Sequence, residues 1–194
     1  MSPIGLSTVG TTISDLGGKG ATLTGGISYA TGTGTNNIKF RLTGTNRIVS
    51  TWSFVNYTFI IIGSKDTGSV GKLFSATTGN RFLGWGLLQK KLCYVEYDVY
   101  GYGSNQTTNN GQEVMYMLTN NSFGEKKFYE NSVRLNTTSS GSSDWGTVSV
   151  GVDGVFSSSA AGWVYEVICF PYSLSDTEAY VITELLKRYF TFIT

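Results

Sequence analysis

Histidine is absent from all 194 residues. That removes the commonest general base, the usual zinc ligand and any Ser-His or Cys-His nucleophile pair, and with them most hydrolase mechanisms. Cysteine occurs only twice. Cys93 and Cys169 each stand inside an apolar strand-like run, LCYV and VICF, where a free thiol behaves as a small hydrophobe. The alternative is a disulfide between neighbouring strands, which requires an oxidising compartment and close Cα atoms. Charge is scarce as well, at 14% of positions, and 14 Lys and Arg nearly balance 13 Asp and Glu. There is thus no basic field to recruit nucleic acid and no polybasic anchor for anionic lipid. A net charge of +1 leaves weak self-repulsion, which suits a chain that packs against copies of itself or a larger assembly. Apolar runs such as FIII at 59–62 fall far short of the ~20 residues that cross a bilayer, so no membrane insertion is expected. The start, MSPIGLSTVGTT, has neither the positive n-region nor the apolar core of a secretory signal.

What the chain does have is glycine (25 residues) and a share of Ser and Thr near one quarter, a mix that favours strands and turns over helices. Residues 1–25 show little periodicity and read as an extended arm, with a single domain over 26–194. Strand-like runs follow: NIKFRL, RIVSTWSF, YTFIIIGS, KLFSAT, RFLGWGLL, KLCYVEYDVYGY, EVMYMLTN, KKFYENSV, TVSVGV and WVYEVICF. Separators such as TGTGTNN, KDTGSVG and GSNQTTNNG are built from residues that accept positive φ or bond their own backbone. The pattern predicts an all-β fold, a two-sheet antiparallel jelly-roll sandwich. One short C-terminal α-helix closes it. Ser175, Asp176, Thr177 and Glu178 form an S-x-x-E capping box, and Ala179, Ile182, Leu185, Leu186 and Tyr189 follow at helical spacing as the face expected to pack on a sheet.

The segment GWVYEVICFPYSLSDTEAYVITELLKRYF, residues 162–190, resembles the closing signature of laminin-G-like domains in the concanavalin A-like lectin and glucanase superfamily. Gly162, Glu166, Leu174, Ser175, Asp176, Glu178 and Tyr189 carry that resemblance. DLGGKGATLTGGISY at 15–29 is similar to the family's opening arm, and KKFYENSVRL at 126–135 to its Y-x-N-G hairpin, with Ser132 where the glycine would be. The resemblance implies the jelly roll, but the fold hosts lectins, adhesion modules, glycosidases and virion proteins alike.

Tyr94, Glu96, Asp98, Tyr100 and Tyr102 alternate, so on one strand they would share a face and could line a sugar groove. The run VEYDVYG resembles the carboxylate strand of laminarinase-type glucanases. Tyr100 and Gly101 stand where the acid/base carboxylate would be, and the mechanism lacks its proton donor unless Glu113 or Glu166 supplies one. A solvent-facing strand with no ligand is the plainer account of the same alternation. Of the tryptophans, Trp52, Trp85 and Trp163 lie in strand runs and are expected in the core, while Trp145, in a loop, is the candidate for sugar stacking. Calcium is the single cofactor these loops leave open, with Asp66, Asp144 and Asp153 as candidate ligands.

These features point to a non-catalytic structural or attachment module, expected on a virion or an extracellular surface and partnered by other subunits of an assembly. The alternatives are a glycan-binding lectin and, further off, a degraded glucanase.

Overall fold

The computed structural model describes residues 12–13, 21–24, 29–31, 38–43, 47–50, 55–66, 71–76, 81–85, 92–96, 99–102, 112–139, 148–151 and 161–194. Fifteen strands and one helix fall among them. The first five strands are β1 (Thr12–Ile13), β2 (Ala21–Thr24), β3 (Tyr29–Thr31), β4 (Ile38–Thr43) and β5 (Arg47–Ser50). The next five are β6 (Tyr57–Lys65), β7 (Gly71–Ala76), β8 (Arg81–Trp85), β9 (Leu92–Glu96) and β10 (Val99–Tyr102). The last are β11 (Glu113–Asn120), β12 (Glu125–Glu130), β13 (Val133–Ser139), β14 (Val148–Gly151) and β15 (Ala161–Phe170), before helix α1 (Asp176–Lys187).

The strands form two antiparallel sheets, ordered β1-β2-β5-β14-β7-β8-β9-β10 and β13-β12-β11-β6-β15-β4-β3. This is the two-sheet sandwich closed by one helix that the turn spacing predicts. Two local readings change. Part of the expected arm is built into the first sheet, where Ala21–Thr24 pairs with Arg47–Ser50. Its Thr-rich alternation satisfies a strand's hydrogen bonds despite carrying little apolar weight. The long run KLCYVEYDVYGY is a hairpin rather than one strand, with Tyr100 opposite Val95 and Tyr102 opposite Cys93.

The second sheet is buried on both faces at its centre. Strand β6 is flanked by β11 and β15, and every residue from Tyr57 to Ile62 is at most 1% exposed. On the outer face, Ile60, Ile62, Met115, Met117 and Tyr129 meet Leu174, Ala179, Phe190 and Ile193 from the helix and the chain on either side of it. On the alternate positions lie Tyr57, Phe59, Ile61, Tyr116, Leu118 and Phe128, all buried toward the first sheet. Each such side chain contributes roughly 1.5–3 kcal/mol by leaving water. Because both faces are covered, YTFIII and VMYML read as continuous apolar runs, not as alternating ones.

The helix starts as its sequence dictates: Ser175 Oγ accepts from the Glu178 backbone N–H, and Glu178 Oε2 accepts from the Ser175 N–H at 2.8 Å. Its packed face, however, is rotated from the expected one. Ala179, Ile182 and Leu186 dock on the sheet together with buried Thr183, whose hydroxyl donates to the Ala179 carbonyl. Leu185 and Tyr189 instead stand 44% and 56% exposed. The chain after the helix supplies Phe190, Phe192 and Ile193 to the core, and these draw the docking face toward themselves.

The hairpin between β12 and β13 turns on Asn131, held at φ 53°, a left-handed conformation that asparagine tolerates better than most residues. Its side chain accepts from the Met115 N–H, so the turn closes with Ser132 in place of the expected glycine.

Candidate functional site

Alternation along β4 puts Lys39 and Arg41 on one and the same face. In register, Arg41 lies opposite Trp163 of β15. Just beyond, β15 slips by one residue against β6 between Val164 and Glu166, a bulge of the kind that re-aims side chains. The bulge turns Tyr165 onto the outer face, where its ring packs on Phe190 (centroids 5.7 Å apart) and Phe192 (5.5 Å).

Four charged side chains and two rings meet there. The Lys39 ammonium sits 5.3 Å from the Trp163 ring centre and 5.4 Å from that of Tyr165. The Arg41 guanidinium lies 5.1 Å from the Trp163 ring centre. Each cation has its own carboxylate. Lys39 Nζ donates to Glu113 Oε1 at 3.2 Å, and the Tyr165 hydroxyl donates to the same oxygen. Arg41 grips Asp66 through two parallel bonds, Nη1 to Oδ1 at 2.7 Å and Nη2 to Oδ2. The cluster is thus electrically neutral and internally braced, with Trp163 and its cations half-buried at the surface. Bidentate pairs and cation–π contacts of about 0.5–2 kcal/mol each fix the rings before any ligand arrives.

Those of the expected site residues that are described lie apart. Tyr94 and Glu96 lie on β9, and Tyr100 and Tyr102 on β10. Directly paired positions share a sheet face, so the hairpin register sets the Tyr94 and Glu96 positions on one face and those of Tyr100 and Tyr102 on the other. The single alternating face expected of them does not form, because the chain reverses between Glu96 and Val99. Asp98 and Trp145 lie outside the described residues, as do Asp144 and Asp153. Glu113 and Glu166, the carboxylates that could have completed a glucanase pair with Glu96, belong to the other sheet. Asp66, a calcium candidate, has both oxygens taken by Arg41, and among the described residues no three acidic, Cys or His side chains group to hold a metal. Cys169 carries a half-buried thiol.

The sequence contained one signal for this cluster. Lys39 and Arg41 alternate with three apolar residues in IKFRL, which marks an outward face on β4. Trp163, expected in the core, belongs to that face. The bulge that brings Tyr165 beside it has no signature in the sequence.

Burial raises two carboxyl groups. Burial lifts Glu166, at the bulge, to about 7, and it raises Glu130, whose Oε2 is buried without a hydrogen bond among the described residues. At the helix start Asp176 is held below the usual carboxylate range, by Lys127 first and then by the Tyr129 hydroxyl.

No family model matches the sequence, and no curated protein matches it. Solved structures do resemble it. Domain 4 of an extracellular GH43 arabinanase from Geobacillus stearothermophilus, solved with arabinotriose, superposes with a TM-score of 0.70 at 17% identity, over 90% of this chain and 93% of that one. The binding domain of Paraclostridial Mosquitocidal Protein 1 gives a TM-score of 0.70 at 14% identity, over 94% of this chain. The ligand-binding domain of botulinum neurotoxin serotype D, solved with N-acetylneuraminic acid, gives 0.63 at 16%, over 89% of this chain. The chain spans about half the length of the two toxin domains, 51% and 48%. At these identities the likeness establishes a shared β-sandwich fold.

Proposed function

We propose that this chain is a non-catalytic glycan-binding module whose contact surface is the outer-face cluster of Trp163, Tyr165, Lys39, Arg41, Glu113 and Asp66. The observation that carries the reading is the half-buried Trp163 on the outer face, held beside donors and acceptors that are already fixed by their own ion pairs. A sugar presents apolar C–H faces and a ring of hydroxyls. Its recognition asks for an aromatic surface flanked by groups that both donate and accept, in positions that cost little to hold. The near end-to-end match to an arabinanase domain solved with arabinotriose favours this lectin reading over the assembly role expected from composition.

The test is a glycan array followed by titration of any hit, comparing wild type with Trp163→Ala and Tyr100→Ala. Binding that is lost in Trp163→Ala and kept in Tyr100→Ala supports the cluster. The reverse outcome moves the site to the β9–β10 hairpin, and failure of wild type to retain any glycan sinks the reading altogether. A reducing-sugar assay on β-glucans and arabinans checks the other half of the proposal. Activity abolished by Glu96→Gln would make the chain an enzyme.

A further inference from the structure

Helix α1 docks through Ala179, Ile182, Thr183 and Leu186, which leaves a second stripe facing away from the sheet. Glu178, Val181, Leu185 and Arg188 follow one another at spacings of three, four and three residues, and so fall in a narrow row along the helix. Val181 is 49% exposed and Leu185 is 44% exposed, with Tyr189 beside them. The basic end of the row is not consumed by the fold, and the acidic end is used only in part. Arg188 is exposed and makes no ion pair among the described residues, whereas Lys187, on the other flank, is already paired with Glu184. Glu178 uses only Oε2 for the capping box.

The row reads acidic, apolar, apolar, basic from the helix N-terminus to its C-terminus, and it is symmetric about residue 183. A two-fold axis through that point sets Glu178 of one chain against Arg188 of another, and Val181 against Leu185, with each contact made twice. It also runs the two helix dipoles antiparallel. We infer that this stripe is a self-association surface, and that the chain forms a two-fold homodimer through antiparallel α1 helices. Charge complementarity selects a second copy over an unrelated partner, because one sequence supplies both halves of the pattern in the correct order. Closed two-fold contacts of this kind are the commonest oligomer form, and a net charge of +1 offers little opposition. A single helix pair is a small interface, so the dimer is weak and concentration-dependent.

Sedimentation equilibrium on the whole chain, without glycan, tests the inference independently of the proposed function. Wild type is expected to dimerise reversibly, and Leu185→Glu to raise the dissociation constant by at least about tenfold. Arg188→Glu and Glu178→Lys each place like charges opposite one another in their homodimers and should associate more weakly than wild type. Mixed in equal amounts, the two should recover a heterodimer, because both cross-chain pairs are then opposite in sign. Thermal melts of each variant separate loss of association from loss of fold, and Leu185→Glu leaves the helix cap untouched. A chain that stays monomeric to about 1 mM overturns the proposal. So does a dimer indifferent to Leu185→Glu, or a charge-swapped mixture that gains nothing over its separate components.

Discussion

The backbone of Gly63 lies so close to that of Trp163 that a Cβ on the glycine would come within 2.2 Å of the Trp163 carbonyl oxygen. The two residues belong to β6 and β15 of the second sheet, at the point where the register slips. Glycine is used there to let one strand closely approach another that carries an extra residue. The same bulge turns Tyr165 toward Lys39 and Glu113.

Gly63→Ala should therefore be costly although it adds only a methyl group. The obstructing atom is backbone, and the carbonyl cannot move without disturbing the neighbouring ladder bonds. A loss of about 2–3 kcal/mol is expected from overpacking at a rigid site. It would be read as a lower denaturant midpoint at unchanged slope. A stability within about 0.5 kcal/mol of wild type would mean that the bulge can relax, and that its shape is not imposed by the glycine.

Glu113 braces two members of the cluster at once, accepting from Lys39 and from the Tyr165 hydroxyl. Its side chain is 13% exposed and that of Lys39 17%, so solvent replaces a lost partner poorly. Glu113→Ala should destabilise by roughly 1–3 kcal/mol, and Glu113→Gln by less, since an amide oxygen still accepts from the hydroxyl. Thermal unfolding gives the ranking. Equal losses in the two variants would show that only the charge matters, and no loss in either would show the brace to be idle.

Ser175 makes a local contribution that can be isolated from packing, because its side chain is exposed and its only role is at the helix cap. Ser175→Ala removes the acceptor for the Glu178 N–H and should cost about 1 kcal/mol, whereas Ser175→Gly should cost a few tenths. Far-ultraviolet dichroism during thermal melting can resolve the order of the two. If alanine were no worse than glycine, tertiary docking through Leu174 and Ala179 would be sufficient to set the helix start.

How far the sequence could be read follows from which interactions are local. The capping box depends on neighbours within a few positions, and the β11 run EVMYMLTN is marked by its own continuous apolar pattern; both are found where their residues place them. The helix's packed face was misplaced at Leu185 and Tyr189 because it depends on Phe190, Phe192 and Ile193, whose return to the sheet is a tertiary choice. The Tyr94 to Tyr102 face failed for a similar reason. Alternation looks the same whether a chain runs straight on or turns back, and the run from Leu92 to Val99 contains no Gly or Pro to mark a reversal. The Trp163 cluster joins residues from β4, β11 and β15 with Asp66, at separations such as the 74 residues between Lys39 and Glu113, so only the outward half of β4 was legible beforehand.

Glu166 gives the fold a pH dependence whose sign can be worked out. Burial at the bulge raises its folded pKa to about 7, against 4.5 in an open chain. Between those values the unfolded chain has released a proton that the folded one keeps, so the unfolded state binds fewer protons and stability falls as pH rises. The contribution is complete below about pH 4.5, declines through pH 7 and then levels off, for a total on the order of 3 kcal/mol. Asp176, held low by Lys127 and Tyr129, acts in the opposite sense, with stability lost as pH falls through its folded pKa, so its effect lies in a more acidic window. Glu130 is raised by burial too and adds a slope of the same sign as Glu166, which makes the difference between wild type and Glu166→Gln the quantity to measure. Urea unfolding at pH 5, 6, 7 and 8 should show the variant's stability declining less steeply than that of wild type, with the curves separating most between pH 5 and 7. Parallel curves would mean that the Glu166 carboxyl ionises in the folded protein as it does in an open chain.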